Sequence, residues 1–122
     1  MTANLTDIGL KEIVNNFDLF YIDIWGVLHN GIKLNEDAVN VLSKLDDLGK
    51  EYVLLTNAPR PNSDVIKFLK KLGLDDKKSS KVYTSGQGSL SYLNNEKKED
   101  KFFHIGPNRD FGLFNYFKPL KQ

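Results

Sequence analysis

The chain has 122 residues, enough for one compact domain and too few to expect two. Its 17 basic and 16 acidic residues nearly cancel, which excludes the strong field that gathers nucleic acid or an anionic membrane. The absence of cysteine excludes a disulfide framework, a thiolate metal site and a cysteine nucleophile.

Taken in chain order, the sequence predicts alternating helices and strands. Thr6 is placed to cap a short helix bearing Leu10, Ile13 and Val14. Leu19-Phe20-Tyr21-Ile22 is a wholly apolar run ending at Asp23, the pattern of a strand buried on both faces. A glycine-bearing loop follows, from Trp25 to Gly31. Asn35 caps a helix with Glu36 and Asp37 in its first turn, where carboxylates suit the helix dipole. Ala38, Val41, Leu42 and Leu45 recur at helical spacing, and Gly49 supplies the stop.

The unit then repeats. Tyr52-Val53-Leu54-Leu55 predicts a second buried strand ending at Thr56. Ser63 is placed to cap a helix with Val65, Ile66, Leu69 and Leu72, stopped by Gly73. Asp75-Asp76 and Lys77-Lys78, with Lys81 nearby, read as a solvated loop. Val82-Tyr83 is a short third strand ending at Thr84-Ser85-Gly86. A brief helix is expected over 87–94, with Leu90 and Leu93, and the lysine-rich stretch 94–101 as an exposed connection. Phe102-Phe103-His104-Ile105 predicts a fourth strand ending at Gly106-Pro107. A last helical segment is expected from Asn108, with Phe111, Phe114 and Phe117.

Strands alternating with helices imply an α/β fold with right-handed crossovers and a parallel sheet, here as a single domain over 1–122. Ligands of such sheets bind at the carboxyl ends of the strands, where Asp23, Thr56, Ser85 and Gly106 all fall. No apolar run approaches the ~20 residues that span a membrane. Nor does the stretch 1–7 have the form of a signal peptide. A cytoplasmic protein is the expectation.

Three features bear on chemistry. A carboxylate at a buried strand's end, Asp23, is suited to attack phosphorus and to ligate a divalent metal, or simply to cap its loop. Thr56-Asn57 offers a hydroxyl and backbone N–H groups to a phosphate, or forms an ordinary turn. Arg60 is placed either to pair with an anionic substrate or to lie on the surface at a helix entry. Trp25 is open between a substrate-stacking surface and an anchor for its loop. His104 reads as a core or edge histidine.

Taken together, Tyr21-Ile22-Asp23-Ile24-Trp25-Gly26-Val27-Leu28-His29-Asn30-Gly31 resembles the first motif of the haloacid dehalogenase superfamily. Leu54-Leu55-Thr56-Asn57-Ala58-Pro59-Arg60 resembles its second. Tyr83-Thr84-Ser85-Gly86 and Ile105-Gly106-Pro107 look like strand ends of the class IIA branch, which includes sugar-phosphate and nucleotide phosphatases. The resemblance runs from about Phe17 to Phe117. It implies a Rossmann-like three-layer sandwich, of which this chain matches only the N-terminal half of the core, without a cap domain.

The resemblance also implies a mechanism. Asp23 is the nucleophile and forms an aspartyl-phosphate. Mg²⁺ is held by Asp23, by the main-chain carbonyl of Trp25 and by a later acidic motif. Thr56 and Asn57 bind the phosphoryl oxygens of a small phosphorylated metabolite, and Arg60 and Trp25 stay the further candidates for substrate binding, with the alternatives given above. Phosphatases of this superfamily usually carry a second aspartate two residues after the nucleophile, as general acid-base. Here that residue is Trp25, and indole has no proton to exchange in that role. His29 is the candidate substitute, although a histidine in such a loop more often faces solvent. The later lysine and acidic motifs have no counterpart here, and Asp75-Asp76 do not follow a strand as the acidic motif must. The expectation is a phosphatase-type module that is inactive as this fragment and binds Mg²⁺ weakly.

The alternative is a non-catalytic phosphate-binding or assembly module of the same fold. A receiver-like signalling domain ranks below both, because only Asp23 of its acidic pair is present. In the family fold the first strand is central. Here its far side is left open, which predicts a homo-oligomer through the exposed sheet edge.

Overall fold

The computed structural model describes residues 4–97 and 101–114. Three strands, β1 (Leu19–Asp23), β2 (Glu51–Thr56) and β3 (Val82–Thr84), form a parallel sheet in the order β1-β2-β3. The register sets Asp23 opposite Leu55 and Thr56 opposite Thr84, so the carboxyl ends of all three strands lie along one rim. This is the partial α/β core that the motif order implies.

Two crossover helices close the sheet on one side. Helix α2 (Glu36–Asp47) starts where Asn35 Oδ1 accepts the Asp37 N–H at 3.2 Å, and buries Leu42 and Leu45. Helix α3 (Asn62–Lys71) buries Leu69. Both end ahead of a glycine at positive φ, Gly49 at 66° and Gly73 at 103°, where a side chain would be strained. Tyr52, Leu54 and Val82 project from the sheet into this layer and complete the core with Ile24, Leu28 and Leu74. Complete burial of a leucine such as Leu54 contributes about 1.5–3 kcal/mol.

Several expectations need correction. β1 is not buried on both faces: Leu19 is 45% and Tyr21 68% exposed, while Phe20 and Ile22 face the core half-buried. Consecutive right-handed crossovers in one direction put α2 and α3 on the same face, so the alternate side chains of β1 meet no layer. The N-terminal segment does not cover that open face. Asn4, not Thr6, caps α1 (Leu5–Ile8), its Oδ1 accepting the Thr6 N–H at 3.0 Å. Two 3₁₀ turns follow, and Val14 joins the same core as α2. At the start of α3 the cap position is Pro61, with Ser63 already in the first turn.

The stretch expected as a solvated loop at 75–78 is a helix start. Asp75 caps α4 (Asp76–Ser79), accepting the Lys78 N–H at 2.8 Å, and also holds the Lys78 ammonium at 2.7 Å. Asp46 draws in Lys77 at 3.1 Å and accepts a hydrogen bond from the Tyr52 hydroxyl at 3.3 Å. The charges are thus paired between α2 and α4. Helix α5 (Ser85–Glu96) is longer at both ends than the expected 87–94 segment.

The largest correction is the fourth strand. Residues 102–105 are irregular, with Phe103 72% and Ile105 90% exposed. β3 supplies only three residues of ladder, and α5 rather than a further strand follows it. The final segment is a 3₁₀ helix, Asn108–Phe114, not an α-helix. The expected apolar surface of Phe111, Phe114 and Phe117 rests on side chains outside those described.

Candidate functional site

The rim of the sheet is built around the end of β1. Asp23 is its last residue and its carboxylate is exposed. Thr56 ends the neighbouring strand one residue beyond the Asp23 register partner, Leu55. Adjacent strands lie about 4.8 Å apart, so the two strand ends share one local environment.

The segment after Asp23 is not a loose loop. Ile24 is buried, and its carbonyl accepts the N–H of Leu28 at 2.8 Å. Gly26, at φ 80°, donates its N–H to the His29 carbonyl at 2.8 Å. Leu28 is fully buried and its carbonyl accepts the Asn35 N–H at 2.8 Å, tying the loop to the start of α2. Asn30 Oδ1 accepts the N–H groups of Ile32 and Lys33, both at 3.0 Å. The Trp25–Leu34 loop therefore carries its own backbone hydrogen bonds and a buried anchor.

Of the two readings of His29, a substitute acid and a solvent-facing loop residue, the second fails: His29 is only 5% exposed. Its Nδ1 accepts the Gly31 N–H at 2.8 Å, which leaves the neutral imidazole's proton on Nε2. Its ring meets Trp25 and Phe68 edge-on, each at 5.2 Å between centroids. Burial pushes its pKa down from the usual histidine value. These contacts make His29 the pin that joins the loop to α3. Trp25 lies on the outer side of that pin, 66% exposed. A Cβ at Gly31 would come within 2.8 Å of the indole, so glycine is what lets the ring lie there. His104 is half-buried in the irregular segment after α5.

The loop after β2 is held from a distance. Thr56 is half-buried and its Oγ1 accepts the Ala58 N–H at 3.3 Å, making a local turn. Asn57 and Arg60 are exposed. The β3–α5 junction grips the loop backbone. The Ala58 carbonyl accepts the Gly86 N–H and the Ser85 hydroxyl, both at 3.1 Å. Fully buried Thr84 donates its hydroxyl to the Arg60 carbonyl and accepts the Gln87 N–H at 2.9 Å. Asn62 Oδ1 accepts the Thr84 N–H at 2.9 Å, while the Asn62 N–H donates to Gln87 Oε1 at 3.3 Å.

The structure thus brings Asp23, Thr56 and Asn57 to one rim, with Trp25 two residues beyond Asp23. The Arg60 main chain is locked into the latch, while its side chain lies in solvent. Asn62, Thr84 and Gln87 were missed as positioning residues. The strand-end sequence Thr84-Ser85-Gly86 was the available signal. Among the described residues no three histidine or acidic side chains gather into a metal-holding cluster. Asp23 is the carboxylate that the rim offers, and Asp75 and Asp76 are engaged in the cap and ion pairs of α4.

No curated protein matches this chain. Among solved structures it is similar to a haloacid dehalogenase-like hydrolase from Brucella suis 1330, at 28% identity and a TM-score of 0.76, over 88% of this chain and 39% of that one. It is also similar in fold to a 4-nitrophenylphosphatase from Thermotoga maritima, at 21% identity and a TM-score of 0.70, over 85% of this chain and 40% of that one. A p-nitrophenyl phosphatase from Archaeoglobus fulgidus gives 21% identity and a TM-score of 0.67, over 81% and 38%. The chain therefore spans about two fifths of the length of these structures. The family described as haloacid dehalogenase-like hydrolase matches residues 20–114, most of the sequence. Asp23, Thr56 and the latch all fall inside that match, and the chain belongs to the haloacid dehalogenase-like hydrolase family.

Proposed function

We propose that this chain is the nucleophile-bearing part of a phosphoric-ester hydrolase of the class IIA type, acting on a small phosphorylated metabolite. The observation that carries the reading is the shared rim: exposed Asp23 at the end of β1 and Thr56 at the end of β2, one residue past the Asp23 register partner, with the loop of Asn57 fixed by Thr84. The names of two structural neighbours, both nitrophenyl phosphatases, support the phosphatase class.

In this reading an Asp23 oxygen attacks the phosphorus and the bond to the leaving oxygen breaks. Water then attacks the aspartyl-phosphate, releasing phosphate and restoring the carboxylate. The Thr56 hydroxyl and the Asn57 N–H donate to phosphoryl oxygens, where charge accumulates. Thr84, Asn62 and Gln87 keep that loop from relaxing. The donor set suits Mg²⁺ in part. The Asp23 carboxylate and the Trp25 carbonyl would hold it, with phosphate oxygens and water filling the other positions. When bound, it supplies charge neutralisation at the phosphoryl group.

One residue favours the second reading, a phosphate-binding module without turnover. Trp25 stands where the general acid belongs, and His29 is too enclosed to replace it. Titrating inorganic phosphate and MgCl₂ into ¹⁵N-labelled protein tests the site itself. The Thr56, Asn57 and Ala58 amides should shift together. Silence at these amides sinks both readings, whereas Mg²⁺-dependent turnover by a longer protein carrying this segment, abolished by Asp23→Asn, selects the first.

A further inference from the structure

We infer that Trp25 is a stacking platform that restricts this site to phosphate esters of planar aromatic alcohols. The inference rests on the phosphatase reading above and names its substrate class.

The first observation is that the indole is both held and available. Its ring meets His29 edge-on at 89° and 5.2 Å. His29 cannot turn away, because the Gly31 N–H holds its Nδ1 and Phe68 of α3 backs its ring at 5.2 Å. Gly31 passes so close to the indole that any side chain there would displace it. An aromatic ring used only as an anchor is buried by its anchorage. Here His29 is the buried member, at 5%, and Trp25 keeps two thirds of its surface in solvent.

The second observation is place. Trp25 follows Asp23 by two residues, a span of at most about 7 Å of backbone. In-line displacement sends the leaving group to the side of the phosphorus away from Asp23, and the short chain span keeps the indole within reach of a ring on the departing oxygen. The indole offers that group a flat apolar face. Stacking on such a face favours a planar ring over a saturated one of equal size.

The third observation is what indole lacks. Its N–H is far too weak an acid to protonate a departing oxygen. An alkyl ester would expel an alkoxide, a base about as strong as hydroxide. An aryl ester expels a phenoxide, whose conjugate acid has a pKa of about 10. The step balances without a general acid. Asp23 Oδ forms the new P–O bond, the P–O(aryl) bond breaks, and its electron pair leaves on the phenoxide. Water then cleaves the acyl phosphate, and its proton passes to the phenoxide through solvent. The residue that removes the acid and the residue that binds the ring are one and the same.

The test uses binding, so it does not depend on turnover. Phenyl phosphate and cyclohexyl phosphate are titrated into this chain with MgCl₂, with inorganic phosphate as reference, reading the Thr56–Ala58 amides. Trp25 is the sole tryptophan, so its emission and indole Nε1–H signal report stacking directly. Phenyl phosphate should bind at least about fivefold tighter than cyclohexyl phosphate and shift the indole signals. In Trp25→Leu the ratio should fall to about one, and Trp25→Phe should restore part of it. Equal affinities in the native chain, or a preference that survives Trp25→Leu, overturn the platform while leaving the phosphatase reading intact. No response to inorganic phosphate removes the phosphatase reading and this inference together.

Discussion

Gly86 lies against the main chain of Arg60 so closely that a Cβ there would overlap the Arg60 backbone nitrogen and carbonyl. Backbone on both sides leaves no flexible side chain to give way. The first helical turn of α5 and the loop after β2 are therefore one packed unit, made possible by a residue without a side chain.

Gly86→Ala should cost about 1–3 kcal/mol, the usual penalty of overpacking, and should shift the Ala58 and Arg60 amides. Thr84→Val should cost a similar amount, because it removes the donor to the Arg60 carbonyl and the acceptor for the Gln87 N–H in a fully buried place. Thr84→Ser keeps the hydroxyl and should recover most of the loss. Urea unfolding measures each. A Thr84→Val chain as stable as the parent, with unmoved loop amides, would show that the latch does not hold the loop.

His29 makes stability depend on pH in one direction. Its folded pKa lies below the usual value because burial disfavours the charged ring. Protonation would also turn Nδ1 into a donor facing the Gly31 N–H. The unfolded chain takes up its proton near pH 6.5, before the native chain does. The contribution is therefore complete above that pH and is lost as pH falls from the unfolded toward the folded pKa. The urea midpoint should drop between about pH 7.5 and 5.5, and His29→Gln should flatten that part of the profile. A parent and variant with parallel profiles would mean that His29 titrates alike in both states.

Much of the rim was legible in the sequence, because a parallel strand announces its own end. An apolar run stops at the first polar residue, and Asp23 and Thr56 were placed by that rule alone. The same rule failed at residues 102–105, whose Phe-Phe-His-Ile has the aromatic and β-branched character of Leu-Phe-Tyr-Ile at 19–22. The difference is a ladder partner: β1 has five residues of β2 to pair with, and β3 is only three residues long. Faces were less legible than ends. Tyr21 and Ile22 look alike in a run of apolar residues, and only the side on which α2 and α3 cross separates them. His29 was misread because its burial depends on Phe68, distant in sequence. The latch stayed hidden for the same reason, since Thr84 serves Arg60 across 24 positions.

β1 occupies one end of the strand order, and its outward face shows Leu19 and Tyr21. An edge strand of this kind, without proline or lysine, is a template for pairing with a second copy. Concentration-dependent association is expected in light scattering, and Tyr21→Lys should weaken it without unfolding the chain, since the side chain is mostly in solvent. Asp23 ends the strand, and its like charge on two paired copies should make the association stronger at higher salt. A monomer at high concentration, with β1 amides protected from exchange, would mean that this chain closes its own edge.

Asp23 contributes one carboxylate, and Mg²⁺ wants six oxygens in near-ideal geometry. Calorimetry with MgCl₂ should therefore show weak binding, and a submicromolar site would contradict that donor count. The chain alone should leave a chromogenic phosphate ester essentially unhydrolysed. Turnover that Asp23→Asn abolishes would prove the rim sufficient by itself. In a longer protein carrying this segment, the missing acid becomes measurable. Trp25→Asp should raise hydrolysis of alkyl phosphates, which need a proton on the leaving oxygen. Aryl phosphates should gain less, because phenoxide departs without one and the variant also loses the indole. An equal gain for both ester classes would show that position 25 governs the attack at phosphorus rather than the departure of the leaving group.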